Sequence, residues 1–156
     1  MEIEVHKGEH RTINNGKKGI VFAHGRVEVY SGGTADVLTD GEAVVFEGGV
    51  ATIHEGGWAE VYAGGRVKIL TGGNAEVREG GVASVHKGAD VEVRKGGRAS
   101  VHDGGRAEVY EGGVASVHKG GQAVVFEGEV EVHQGGQAFG PGKITYVDPL
   151  TTHATH

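Results

Sequence analysis

The sequence is dominated by one eight-residue phrase, which occurs five times in a row between residues 80 and 121. Each copy reads two glycines, a variable residue, alanine or valine, a polar residue, valine, a large side chain and a charged residue. Related copies extend back to about residue 24 and on to about residue 142. A short fixed period over most of a chain indicates a repeat architecture, in which neighbouring units bury one continuous core.

The alternation inside each phrase has a period of two, which predicts one short strand per phrase. The fourth and sixth positions, mostly alanine and valine, point to one side and form the core. The fifth and seventh positions point to the other side. The glycine pair predicts the corner between strands. Because His24 and Asp40 replace the first glycine of a pair while the second is kept, we expect the second glycine to have a positive φ. Ala89 departs from this rule.

The seventh position shows how many strands make one coil. Histidine occurs there only in one set of alternate phrases, and tyrosine occurs only in the other set. Grouping the phrases by threes mixes these types, so the structural period is two phrases. The predicted fold is therefore all-β: a two-sided parallel β-solenoid (β-helix) of octad repeats, with sixteen residues per coil and about seven coils. The two series are Phe22, Leu38, His54, Leu70, His86, His102, His118 and His133, and Tyr30, Phe46, Tyr62, Arg78, Arg94, Tyr110 and Phe126.

Three regions follow from where the phrase is regular. Residues 1–19 are expected to be an N-terminal cap and irregular first unit, with a loop over residues 8–19. Residues 20–142 form the solenoid, and a unit of only seven residues at 128–134 predicts a shortened turn or bulge. Residues 143–156 are expected to form a C-terminal strand and an extended tail, and residues 148–156 of that tail are expected to anchor the rod to a neighbouring subunit.

Composition narrows the class of protein. The chain has 156 residues, no cysteine and a net charge of −6. Disulfides and thiolate metal sites are excluded, and the acidity argues against nucleic-acid binding. The polar start of the chain shows no signal peptide or membrane span, so no membrane partner is expected.

The Gly-Gly-x-Ala-x-Val phrase resembles the repeats of AIDA-type autotransporter passengers and of β-solenoid segments in phage structural proteins. The likeness covers about residues 25–136. This sequence departs from the autotransporter pattern in its strict octad and in showing neither a secretion signal nor a translocator barrel. The resemblance implies a structural solenoid and transfers no site residue.

A histidine ladder is the first candidate site. His86, His102 and His118 are expected to stack in consecutive coils, each two residues after a serine. Such a ladder is either a repeat-generated surface row or a row of groups that bind a metal ion or an anion. A flat row lacks a convergent ligand set, so we expect no metal, no cofactor and no catalytic residue.

An apolar stripe is the second candidate site. Two strands, around residues 43–46 and 123–126, have apolar side chains at both outward positions, the fifth and the seventh, whereas elsewhere on that face the fifth position holds glutamate. A line of apolar side chains on one face of a thin rod is typical of a contact surface. The predicted interface comprises Phe22, Val44, Phe46, Trp58, Tyr62, Tyr110, Val124 and Phe126, with Phe46 and Phe126 as anchors.

These features predict a non-enzymatic structural protein that works by protein–protein assembly. The expected partners are further copies of the chain, for example in a trimer, and a larger structural protein such as a capsid or tail protein. The leading interpretation is a bacteriophage virion component: a capsid decoration or cement protein, or a tail-fibre solenoid. A bacterial cell-surface adhesin or polymerising scaffold module is the alternative, and a metal-binding histidine-ladder protein is a second alternative.

Overall fold

The structure is a computed structural model and describes residues 1–147. Over that range the chain forms nineteen short strands, all but one of four residues, and no helix that could cross a membrane. In chain order they are β1 (Glu2–Val5), β2 (His10–Ile13), β3 (Lys18–Val21), β4 (Arg26–Val29), β5 (Thr34–Val37), β6 (Glu42–Val45), β7 (Val50–Ile53), β8 (Trp58–Val61), β9 (Arg66–Ile69), β10 (Asn74–Val77), β11 (Val82–Val85), β12 (Asp90–Val93), β13 (Arg98–Val101), β14 (Arg106–Val109), β15 (Val114–Val117), β16 (Gln122–Val125), β17 (Glu129–Val132), β18 (Gln137–Phe139) and β19 (Lys143–Tyr146).

The strands alternate between two parallel sheets, one of odd-numbered and one of even-numbered strands. Each strand pairs in register with the strand one coil later, as where Glu76 lies opposite Glu92. The two-sided parallel β-solenoid with sixteen residues per coil is therefore confirmed. The expected number of coils is wrong, because about nine turns are present and the strands begin at Glu2.

The core lies between the two sheets and consists of alanine and valine with a few isoleucines. In β10 the inward Ala75 and Val77 are fully buried, while Asn74 is exposed and Glu76 half-buried. The alternation in the sequence therefore translates directly into inside and outside. These side chains form one continuous buried cluster along the described part of the rod.

The corners are four-residue turns. In the turn from Tyr62 to Gly65, the N–H of Gly65 donates to the carbonyl of Tyr62 at 2.9 Å, and the first glycine, Gly64, has a φ of 77°. A positive φ at the third residue is the mark of a type II turn. The positive φ thus belongs to the first glycine and not, as we expected, to the second. His24 and Asp40 hold the same conformation at φ of 62° and 61°.

The second glycine of a corner is required for a different reason: its Cα lies so close to the backbone of the preceding coil that a side chain would collide with it. A Cβ added to Gly49 would lie 2.5 Å from the carbonyl oxygen of Val29. At most corners of the opposite edge the space is slightly greater: a Cβ on Gly57 would lie 2.9 Å from the oxygen of Val37, although one on Gly25 would lie 2.5 Å from the oxygen of Val5. Ala89 lies at that roomier edge, buried at 1% exposure. Alanine therefore replaces the second glycine, at position 89, on the edge of the rod that has more space for a methyl group.

The first coil is regular, so the loop expected over residues 8–19 is wrong. Strand β2 pairs with β4, and an Asn-Gly turn with positive φ at Asn15 and Gly16 leads into β3. Glu9 and Lys17 occupy the positions of the second glycine. In residues 1–147 no strand of an earlier coil lies beside these two positions, so no carbonyl of such a strand restricts them. The second glycine found at most later corners is therefore not needed there.

The shortened turn expected near residue 128 is present. Strands β16 and β17 are separated by three residues instead of four, and a second three-residue corner separates β18 from β19. Strand β19 pairs with β17 and extends the odd sheet. The anchoring role expected of residues 148–156 lies outside the described residues, and the division of the chain into cap, solenoid and tail stays a prediction.

Candidate functional site

Large side chains form a continuous row along one edge of the rod, where even-numbered strands turn into odd-numbered ones. The rings of Tyr30 and Phe46 stack with centres 4.8 Å apart, and those of Phe46 and Tyr62 stack at 5.4 Å. Tyr110 and Phe126 stack at 5.0 Å further along. We call the whole row the aromatic–arginine column; its members are Tyr30, Phe46, Tyr62, Arg78, Arg94, Tyr110 and Phe126.

Two arginines join the two aromatic parts of this column. The guanidinium carbon of Arg78 lies 5.8 Å from the centre of the Tyr62 ring, and that of Arg94 lies 4.3 Å from the centre of the Tyr110 ring. A guanidinium group at these distances is attracted to the negative face of the ring. The parallel register imposes this arrangement, because it places every seventh-position side chain directly above its counterpart one coil earlier.

Each tyrosine in the column is fixed by a glutamate two residues earlier. The hydroxyl of Tyr62 donates to Glu60 at 2.8 Å, and that of Tyr110 donates to Glu108 at 2.9 Å. These hydrogen bonds, followed by burial, raise the pKa of both tyrosines above its usual value, because the neutral phenol is the form that donates. The tyrosines therefore present a fixed ring face.

The arginines follow the same rule. Arg78 lies 2.7 Å from Glu76, and Arg94 donates to Glu92 at 2.8 Å. The Nε atoms of both arginines are buried and have no hydrogen-bond partner among residues 1–147. Each of these two guanidinium groups therefore contacts both a carboxylate and an aromatic ring at the centre of the column.

Where the column has phenylalanine, the residue two positions earlier is valine. Phe46 follows Val44 and Phe126 follows Val124, both on the even sheet and five strands apart within it. Val44 is only 6% exposed, so the chain itself already covers it and it adds little to any contact surface. Phe126 is 41% exposed and Tyr30 37% exposed. The apolar side chains of the column that are most exposed to solvent are thus Tyr30 and Phe126, at its two ends.

A shallow, open, apolar groove runs along the first half of the column. Its walls are the column side chains from Tyr30 to Arg78 and the turn residues beside them, among them Ser31 and Ala63. An apolar surface that follows this column is suited to pack against another flat or ridged surface.

The remaining predicted interface residues lie elsewhere. Phe22 is on the odd sheet, where its ring stacks on His6 at 4.7 Å. Trp58 is half-buried at the start of β8, at the other edge of the even face from the column. The role of Arg78 and Arg94 as members of the column was not predicted, although both belong to the seventh-position series that predicted the coil.

The histidine ladder forms as predicted and extends to His133. Successive rings from His86 onward lie 5.0, 5.2 and 4.7 Å apart and are nearly parallel. Burial lowers the pKa of His102 and His118 below the usual histidine value, and the neighbouring histidines lower both further. Among residues 1–147 no group of three or more histidine, aspartate or glutamate side chains is arranged to hold a metal ion.

Comparisons with known proteins give structural likenesses but no family. No family model matches the chain, and no curated protein matches it. Among the similar solved structures is the TibC-catalysed hyper-glycosylated fragment of TibA spanning residues 55–350. It is 22% identical, with a TM-score of 0.40, and the match covers 95% of this chain and 92% of that one. This likeness transfers no residue role to this chain.

Proposed function

We propose that the chain is a non-enzymatic structural module that assembles with other proteins through the aromatic–arginine column. The observation that carries this proposal is the column itself: a row of large side chains that stack on one another or contact carboxylates and cations, with its two ends exposed. Aromatic and arginine side chains are enriched at protein interfaces, and tyrosine and arginine are among the residues that contribute most to binding there. Contacts within the chain already restrict these side chains in the column, so covering them costs less conformational entropy.

The partner that fits best is a second copy of the chain. Every copy carries the same column with the same spacing between coils, about 4.8 Å, so two columns can interlock ring against ring. Side-by-side contact along the column would produce paired or bundled rods. A trimer remains one of the expected forms.

Charge substitution within the column tests the proposal. Replacing Phe46 and Phe126 together with glutamate places two charges in the contact surface, so the double variant should remain folded by circular dichroism but sediment as a monomer. The matched control replaces Val82 and Val114, exposed on the odd sheet at 41% and 38%, with glutamate. The wild type and the control should both sediment as oligomers.

Two results would overturn this proposal. One is a wild-type protein that is monomeric at every soluble concentration in sedimentation velocity. The other is a Phe46 and Phe126 double variant that stays folded and keeps the wild-type oligomeric state.

Where the assembled protein is located, on a cell surface or in a virion, is a separate part of the proposal. We propose a cell-surface adhesin or polymerising scaffold module first, because a polymerising scaffold needs only contacts between copies, which the column offers. Incorporation into a virion requires a larger partner protein as well, and it stays a prediction. Immunogold labelling of producing cells and of purified particles separates the two settings.

A further inference from the structure

The even sheet carries a second feature at the edge opposite the column, which is a groove on its outer face. The groove lies across strands β8 to β14, and its floor is the backbone around Ala75 and Val91. We call it the Trp58 groove; its walls are Trp58, Asn74, Asp90, Glu92, Arg106 and Glu108. We infer that the Trp58 groove binds a neutral oligosaccharide.

The parallel register builds this groove from three adjacent rows. The first residues of successive strands lie one above another, so Trp58, Asn74 and Asp90 follow each other along one wall. The glutamates two residues further along each strand form the other wall. Between the walls the inward Ala75 and Val91 leave only backbone at the surface. The result is a straight channel parallel to the rod axis.

The chemistry of the walls suits a ligand rich in hydroxyl groups. Asn74 offers both a donor and an acceptor, Asp90 offers acceptors, and Arg106 offers donors. A sugar hydroxyl both donates and accepts, so it can satisfy a wall of this mixed kind. The indole of Trp58 at one end of the groove provides a flat apolar surface for the C–H face of a sugar ring. One aromatic platform with a few directed polar groups is a common arrangement in small-molecule sites.

Part of this polar wall is available to a ligand. Arg106 is within 3.6 Å of Glu108, and Glu92 is held by Arg94 on its other side at 2.8 Å. Asp90 is exposed and takes part in neither of these pairs. Asn74 is exposed beside it on β10. A ligand in the groove therefore meets two kinds of polar group. Glu92, Arg106 and Glu108 are held in ion pairs, whereas Asp90 and Asn74 take part in neither pair.

The groove also discriminates against other ligands. Its three carboxylates, on Asp90, Glu92 and Glu108, outnumber the single cation of Arg106, so an acidic sugar would be repelled. A metal ion is disfavoured because these carboxylates are spread along the channel and form no ligand group in the described part of the chain. An extended peptide would find no free strand edge, since the backbone there is paired with β10 and β14 on either side of β12.

Trp58 gives this inference a direct readout, because it is the single tryptophan of the sequence. Maltotriose, cellotriose and mannotriose are titrated into the full chain, each to about 10 mM, which would nearly saturate a site with a Kd of about 1 mM. At least one should shift or quench the tryptophan emission, whereas trigalacturonic acid should bind at least about tenfold more weakly. Calorimetry then compares variants: Trp58→Ala and Asp90→Ala should each weaken binding at least about tenfold, and Val82→Ala should not change it.

Three outcomes would overturn the inference. The first is that none of the three neutral trisaccharides changes the emission. The second is binding that survives both Trp58→Ala and Asp90→Ala, or acidic sugar that binds as tightly as neutral sugar. The third is binding of pentalysine in the absence of any trisaccharide binding, which would assign the groove to a cationic peptide. None of these outcomes bears on assembly through the column, since the two features occupy opposite edges of the face.

Discussion

The guanidinium carbon of Arg94 lies 4.3 Å from the centre of the Tyr110 ring, one coil further along the rod, while its terminal nitrogen donates to Glu92 at 2.8 Å. This one side chain links the carboxylate row to the aromatic row. The same link recurs between Arg78 and Tyr62. Glu76 lies 2.7 Å from Arg78 and 3.6 Å from Arg94, so it joins the two aromatic parts of the column into one row.

Removing this link should weaken the fold by a measurable amount. We expect Arg94→Ala to lower the free energy of unfolding by about 1 kcal/mol, the sum of a partly exposed cation–π contact and a surface ion pair. Arg94→Lys should recover part of the loss, since it keeps the charge without the planar group. Urea denaturation of both variants measures this.

The control for Arg94 is an arginine at a surface position of the odd sheet. Arg98 is exposed there at the start of β13, and Arg98→Ala should change stability by less than about 0.5 kcal/mol. If the substitutions at Arg94 and Arg98 have equal effects, the link through Arg94 adds nothing to the fold.

The histidine ladder should make stability fall in mild acid. The folded pKa values of His102 and His118 lie below the unfolded value of about 6.5, first because of burial and then because neighbouring histidines repel. The unfolded chain therefore takes up protons first as the pH falls. The stability that these groups contribute is present above about pH 6.5 and is lost below it, down towards the folded values.

Melting temperatures measured from about pH 7.5 to about pH 5 test this expectation. The double variant His102→Gln with His118→Gln should show a smaller decline than the wild type. His24→Asn serves as the control, since His24 lies in an exposed turn at a φ of 62°, which asparagine tolerates. A wild-type melting temperature that stays constant over this range would contradict the role given to the ladder.

The two edges of the rod should respond differently to a methyl group at the second glycine. A Cβ on Gly49 would lie 2.5 Å from a backbone oxygen, and one on Gly57 would lie 2.9 Å from the equivalent oxygen. We expect Gly49→Ala to reduce the midpoint of urea unfolding more than Gly57→Ala does. Equal effects would show that Ala89 occurs at the roomier edge for an unrelated reason.

Much of this fold can be predicted from the sequence. Apolar residues alternate with a period of two, and residue types recur every sixteen residues, and few folds other than a two-sided solenoid satisfy both patterns. The alternation of histidine and tyrosine at the seventh position was sufficient to predict two strands per coil. The first coil was missed because Glu9 and Lys17 replace the glycines that marked the corners. The reason for those glycines, close approach to the carbonyl of the preceding coil, is a property of stacking and appears only in three dimensions.

The candidate site was predictable in part. The apolar pairs Val44–Phe46 and Val124–Phe126 stand out because glutamate is the rule at the fifth position. The burial of Val44 and the inclusion of Arg78 in the column depend on side-chain placement, which alternation does not specify. The Trp58 groove was not predicted, since its walls come from four strands that are sixteen residues apart in the sequence.

The most direct test of the central claim is a protection experiment at the column, and the absence of cysteine from the sequence makes it clean. Single cysteines are placed at Ala63, beside the column, and at Glu55, the same turn position at the opposite edge; both positions are exposed. Maleimide labelling rates are then measured as protein concentration is raised. If the column is the assembly face, the thiol at position 63 becomes progressively protected while that at position 55 keeps its rate. Equal rates at both positions under conditions where the protein is oligomeric would contradict the account.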